Sequence, residues 1–342
     1  MLNASGDVKK TNRFFFVLIA VSVFSPMLAA RVPDMGSLLV GAGVYQQITL
    51  SEILLFMCAL VFLALGGMEI FHKCGLSMLQ PGTVLWIVLL SFLIQPVVTW
   101  INLLSMTFVR NHLAQDLSYA NGSLLANLLY LALLPALIEE FISRGVLLQG
   151  LQSLGVRRAV LLSSLMFALL HLNFNQFFYA FVIGLVMALL VELTDSLYSS
   201  MLFHFLINAR AAVIVSSAGP AVSSAVSSAA GTETAGMQEV LTVPNLLMAA
   251  AVYTPIMLLC AAGCIWVIRQ IAKGCGREDV LRSAMRGGRG ESSSVPAVEM
   301  PLGSGTVCLE ASAQERTDGF LTIAFMAASV LAIVTMVLTE IL

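Results

Sequence analysis

This sequence predicts an all-α fold, a polytopic transmembrane helical bundle of about nine spans. Two observations carry that expectation. Of the 342 residues, 59% are hydrophobic and only 11% are charged, against about 25% charged in a soluble domain. The apolar residues also gather into runs near 14–30, 50–69, 82–108, 123–149, 158–172, 176–193, 197–215, 243–268 and 319–341. Each is long enough, or nearly so, to cross a hydrocarbon core of about 30 Å. In lipid the backbone must bond to itself, so these runs are helices.

The first run follows Lys9, Lys10 and Arg13, as the core of a signal peptide would. At about 17 residues it exceeds the usual 7–15, and its Leu-Ala-Ala end is a poor cleavage site, so it reads as a retained span. Residues 1–122 thus form an N-terminal region of about three spans. The third and fourth runs are long enough to tilt or kink, and the fifth is short. Residues 123–215 form a helical core. Residues 216–242, beginning SSAGPAVSSAVSSAAGTETAG, are small, polar and low in complexity, and read as a flexible outside loop. Residues 243–342 hold two further spans joined by a polar segment, 273–318, expected to be cytoplasmic and at most loosely ordered.

Lysine and arginine placement orients the spans. With the N-terminus inside, the cytoplasmic segments hold Lys9, Lys10, Arg13, Lys73, Arg157 and Arg158, and the long polar segment adds Arg269, Lys273, Arg277, Arg282, Arg286, Arg289 and Arg316. The opposite side holds Arg31 and Arg110. Positive charge concentrates inside, so the chain is read as integral to the cell membrane, N-terminus cytoplasmic and C-terminus outside. Membrane lipid is its surround. A net charge of −2 with no basic groove excludes a nucleic-acid partner. The six cysteines are scattered, with no CxxC. Cys260 and Cys264, one turn apart, read as packing residues; Cys74 and Cys275, near the inner face, are candidates for acylation.

The stretch LIEEFISRGVLLQG, residues 137–150, puts Glu139, Glu140 and Arg144 inside a span. Two of the four histidines, His171 and His204, also fall in spans, whereas His72 and His112 fall in loops. Ionisable residues at membrane depth are costly and mark function. Residues four apart share a helix face, so Glu140 and Arg144 pair, as do Phe167 with His171 and His204 with Asn208. Glu139 is rotated by about 100° from Glu140, and at about 1.5 Å per residue Glu140, His204 and His171 lie about 15, 12 and 20 Å from the inner face. Three helices can therefore bring two acids, two imidazoles and an amide together near mid-membrane.

Such a set suits hydrolysis. A carboxylate, Glu139 or Glu140, can take a proton from water. His171 can position that water, while His204 and Asn208 can donate to the oxyanion that develops on a peptide carbonyl. A metal reading stays open beside it: Glu140, His171 and His204 are a possible zinc ligand set, with the other acid as base. No HExxH helix supports the zinc reading. Among smaller features, Pro135 can kink its helix, Asn173 and Asn175 suit a turn, Ala180 and Gly184 permit close helix approach, and Arg210 can snorkel outward.

At these residues the chain resembles a known family. Glu139–Arg144 matches EExxxR, Phe167–His171 matches FxxxH and His204–Asn208 matches HxxxN, in order on successive hydrophobic segments. This pattern resembles the CPBP (CAAX protease and bacteriocin-processing, Abi) family of intramembrane proteases, including its Rce1-like branch. The resemblance spans roughly 123–215. It implies a membrane peptidase acting on a peptide or protein, either a CAAX-like tail or a leader peptide. It implies that Glu139, Glu140, Arg144, His171, His204 and Asn208 line the active site. It leaves metal dependence open. Two other classes fit the polar residues: a non-catalytic scaffold or bacteriocin or phage immunity protein on the same fold, and a proton-coupled transporter. Oligomeric state is not encoded in any pattern here.

Overall fold

The computed structural model describes residues 4–29, 31, 43–109, 123–229, 242–285 and 322–341. Among them the regular elements are helices: α1 (Ala4–Ala29), α2 (Tyr45–Phe71), α3 (Pro81–Ser105), α4 (Leu124–Leu154), α5 (Val156–Leu170), α6 (Phe174–Thr194), α7 (Leu197–Ala229), α8 (Val243–Gly274), α9 (Glu278–Met285) and α10 (Ile323–Ile341). Eight of them, all but α5 and α9, are long and apolar enough to cross a membrane. The protein is an all-α polytopic bundle.

The fifth expected span is the exception. Helix α5 has 15 residues, about 22 Å at ~1.5 Å per residue. Gly155 opens it at φ 86°, a conformation that only glycine adopts freely. Leu172 closes it at φ 49°, in the left-handed region uncommon for other residues. Helix α5 lies between two apolar clusters rather than against lipid. One draws on α1, α2, α4 and α10, the other on α3, α7, α8 and α9, and both include residues of α5 and α6.

Contacts between helix ends fall on two faces of the bundle. On one face Lys73 pairs with Asp7, Asn12 donates to Thr322 (3.0 Å), Gln152 donates to Glu192 and Arg277 donates to the Glu192 carbonyl (2.9 Å). On the other, Asn175 donates to Ser105 (2.6 Å), and Asn127 accepts from Tyr45 and donates to Ser216 (2.8 Å). Successive helices therefore alternate in direction, and α5 and α6 form an antiparallel hairpin. Asn173 caps α6 by accepting from the Gln176 N–H (3.0 Å). Gly184 lets the hairpin close: a Cβ there would lie 3.2 Å from the Ser164 Cβ.

Two segments are more ordered than composition suggests. Helix α7 runs to Ala229, through much of the stretch read as a loop from residue 216; residues 230–241 lie outside the described residues. Alanine favours helix, and the Ser216 and Ser217 hydroxyls bond back to the carbonyls of Ala212 and Val213 (2.8 Å each). Within 273–318, α9 docks on the bundle through buried Leu281, and Arg277 pairs with Asp195 (3.4 Å). Residues 286–318 of that segment, like Arg110 and His112, lie outside the described residues.

The link from α2 to α3 pins the start of α7. The Gly75 carbonyl accepts from the Leu197 N–H (2.9 Å), and Ser196 donates to the Ser77 carbonyl (2.5 Å). A Cβ on Gly75 would lie 2.0 Å from the Asp195 carbonyl oxygen, a backbone atom that cannot step aside. Gly75→Ala should therefore lower stability by about 1–3 kcal/mol. Thermal unfolding in detergent checks this against Gly82→Ala, where a Cβ meets open space.

Beside this link, burial pushes the Cys74 thiol up to about 12, with the Asp195 and Glu192 carboxylates adding to the effect. The thiolate is the reactive form, so at pH 8 Cys74 should resist maleimide in the folded protein and react after denaturation. Rapid labelling of folded protein at Cys74, mapped by mass spectrometry, would contradict this placement and restore its candidacy for acylation.

Candidate active site

Helix α4 carries the acids at its middle, and it is not a uniform α-helix. It widens into π-helical turns over Leu128–Leu133 and Phe141–Leu148. The first precedes buried Pro135, which has no N–H to give and whose ring crowds the preceding turn. The wider turn accommodates both defects, where a plain kink was the sequence expectation. The second begins right after Glu140, and within it the Arg144 carbonyl accepts from the Gln149 side chain (3.2 Å). Such insertions occur frequently at functional sites.

The second turn keeps the expected Glu140–Arg144 pair. Arg144 Nη1 donates to Glu140 Oε1 at 2.9 Å, and both side chains are fully enclosed. Arg144 Nη2 donates to the Gly184 carbonyl of α6 (3.0 Å). The guanidinium also lies over the Phe167 ring of α5, 4.4 Å from its centroid. From α7, His204 Nδ1 donates to the same Glu140 oxygen at 2.9 Å. The Glu140–Arg144 pair thus ties together four helices, and Glu140 Oε1 accepts from two sides.

Glu139 faces a different partner. His171 Nε2 stands 3.9 Å from Glu139 Oε2, beyond direct hydrogen bonding. These two side chains keep 23% and 14% exposure, whereas Glu140 and Arg144 have none. His171 Nδ1 is 2.8 Å from the Phe167 carbonyl. A carbonyl only accepts, so Nδ1 carries the proton and the neutral ring presents its lone pair at Nε2, toward Glu139. Phe167 meets both imidazoles edge-on, with centroids 4.7 Å from His171 and 5.9 Å from His204.

Five of the six residues expected at the site, Glu139, Glu140, Arg144, His171 and His204, therefore gather around Phe167. Asn208 lies one turn beyond His204, half-buried, and no hydrogen bond among the described residues joins it to them. The zinc set Glu140, His171 and His204 does not assemble. Glu140 Oε1 is taken by Arg144 and His204, so a cation there would face a guanidinium, and His171 is directed to Glu139. Among the described residues no group of three or more His, Cys, Asp or Glu side chains could hold a metal ion.

Residues 121–210 match the family model described as Rce1-like, type II CAAX prenyl endopeptidase. That segment is Rce1-like. The match bears out the resemblance read from the three motifs, and it contains all seven motif residues. It covers α4 to the middle of α7, leaving α1–α3 and α8–α10 outside. No curated protein and no solved structure matches the chain.

One acid near the Rce1-like site was not anticipated. Glu52, on α2, is 7% exposed, and its side chain meets that of Glu139. It is a lone charged residue in the run SEILLFMCALVFLALGG. Weighing every ionisable residue in the apolar runs, rather than those on motif helices, would have found it. Arg210, expected to snorkel, donates to Gln95 of α3 (2.8 Å).

The buried pair makes a quantitative prediction. Arg144→Leu leaves Glu140 uncompensated and should cost about 3–5 kcal/mol. Adding Glu140→Gln should recover part of that loss. Thermal unfolding of both variants in detergent reads the difference, and a double variant no more stable than the single would contradict the pairing.

Proposed function

We propose that the protein is an intramembrane endopeptidase that hydrolyses a peptide bond with water activated by Glu139 and His171. The observation that carries this reading is the division between the two acids. Glu140 Oε1 is taken by Arg144 and His204 and the side chain is sealed from solvent, whereas the Glu139 side chain keeps partial exposure beside His171 Nε2. A base must reach the proton it removes, and only Glu139 can.

The water oxygen attacks the scissile carbonyl carbon, and its proton passes to Glu139, directly or through His171 Nε2. Negative charge develops on the carbonyl oxygen. His204 spends its Nδ1 proton on Glu140, so its Nε2 donates to that oxygen only as imidazolium, whose charge faces the Glu140 carboxylate. Asn208, on the same face of α7, adds an amide donor once substrate is bound. Donors preplaced where charge develops typically contribute 10²–10³-fold each. When the C–N bond breaks, the proton held by Glu139 passes to the leaving nitrogen, and the products are a carboxylic acid and an amine; the acid then gives up its proton. No step uses a metal, in keeping with a donor set that does not form a ligand cluster.

The family described as type II CAAX prenyl endopeptidases supplies the substrate class: a prenylated C-terminal tail, with a leader peptide as the second candidate. Exposed apolar side chains such as Leu125, Leu129 and Leu137 give the helix that carries the acids an apolar outer surface. The proposed orientation puts the N-terminus in the cytoplasm and the C-terminus outside the cell membrane. In support, Lys73, Arg157, Lys273 and Arg277 adjoin helix ends on one face of the bundle.

The test is a panel of farnesylated CAAX peptides and leader peptides incubated with the purified protein and read by mass spectrometry. The wild type should release a defined fragment, and His171→Ala should reduce turnover about 10²–10⁴-fold while remaining folded. Chelator should leave turnover unchanged. Full activity of His171→Ala would overturn the mechanism.

A further inference from the structure

Glu52 lies outside the Rce1-like segment, on α2, yet it closes one side of the site. It is buried, and its carboxyl touches Glu139. The Oε2 atoms of both residues are enclosed, and neither receives an N–H or O–H from another of the described residues. Two carboxyl groups in contact within an apolar surround cannot both be ionised. Their hydrogen bond requires a proton between them. The charged group that bears on Glu52 is Glu139 itself; around Glu139 stand His171 and, farther off, Arg144.

We propose that Glu52 is a positioning residue of the active site, holding the proton of a Glu52–Glu139 carboxyl pair and donating it to Glu139. This rests on Glu139 being the base. The donated bond fixes the Glu139 carboxyl beside His171. It also sets the charge of the pair. At rest the pair carries one proton and one negative charge. When water attacks, Glu139 takes a second proton and the pair is neutral; when the C–N bond breaks, that proton leaves with the amine. A helix outside the family-matched core thereby tunes the base within it.

The proposal separates Glu52→Gln, which keeps a donor toward Glu139, from Glu52→Leu, which does not. Infrared difference spectra of the full-length protein in detergent near neutral pH come first. Wild type minus Glu52→Gln should show the carbonyl stretch of a protonated carboxyl group, and that band should move in a Glu139→Gln background. Carboxylate bands in its place, or a band indifferent to Glu139, would overturn the pair. In turnover of a farnesylated CAAX peptide, Glu52→Leu should lower kcat roughly 10–100-fold with KM unchanged. Glu52→Gln should keep most of the activity with an altered acidic limb of the kcat–pH profile. Wild-type kcat in Glu52→Leu would overturn the positioning role. Activity surviving in Glu139→Gln would instead remove the base assignment and leave the infrared result on the pair standing, so the two failures are distinguishable.

Discussion

The ion pair between Glu140 and Arg144 lies where neither group reaches solvent. Taking each ion out of water costs several kcal/mol, and their attraction offsets that only when the remaining donors and acceptors are also met. Here most are met from three other helices, by the Gly184 carbonyl, the Phe167 ring face and the His204 imidazole, while Glu140 Oε2 and Arg144 Nε stay enclosed without a partner among the described residues. The pair therefore dictates where α5, α6 and α7 stand relative to α4. Gly184 is a glycine where α6 must approach α5 closely, and the π-helical turn at Phe141–Leu148 holds the arginine where it can serve all its partners.

This division frees Glu139. With one acid consumed in holding the helices, its neighbour, about 100° round the helix, keeps partial exposure and stands beside a histidine whose tautomer is set by a backbone carbonyl. Adjacent carboxylates thus do opposite work. The same logic extends to α2, where Glu52 meets Glu139 from outside the family-matched segment. The Gly75–Leu197 contact between the α2–α3 link and α7 fixes the helix that carries His204. Helices beyond the matched core therefore contribute to its geometry.

Much of this could be read from residue spacing. Fold class follows from apolar run length. The pairing of Glu140 with Arg144 follows from the four-residue spacing, and the convergence of His171 and His204 on the acids follows from rise per residue. What spacing could not convey was anything depending on departures from a regular helix or on contacts between distant runs. The π-helical turns of α4 leave no periodic signature, so neither the fate of Pro135 nor the choice between Glu139 and Glu140 was fixed. Glu52 stood alone in its run, and only its tertiary neighbour gives it meaning. The short α5 is stable because protein, not lipid, surrounds it, which no hydropathy pattern states. Serine and alanine after residue 216 look loop-like by composition but support helix by propensity and by hydroxyl-to-carbonyl bonding.

The most direct test of this account compares Glu139→Gln with Glu140→Gln, measuring thermal stability and peptide turnover on the same purified samples. Glu139→Gln should unfold at or above the wild-type temperature, since it relieves a carboxyl–carboxyl contact, and should lose turnover about 10²–10⁴-fold. Glu140→Gln should unfold at a lower temperature, because Arg144 is left buried without its counter-charge. The reverse pattern, an active Glu139→Gln beside a stable and inactive Glu140→Gln, would contradict the assignment of base and anchor.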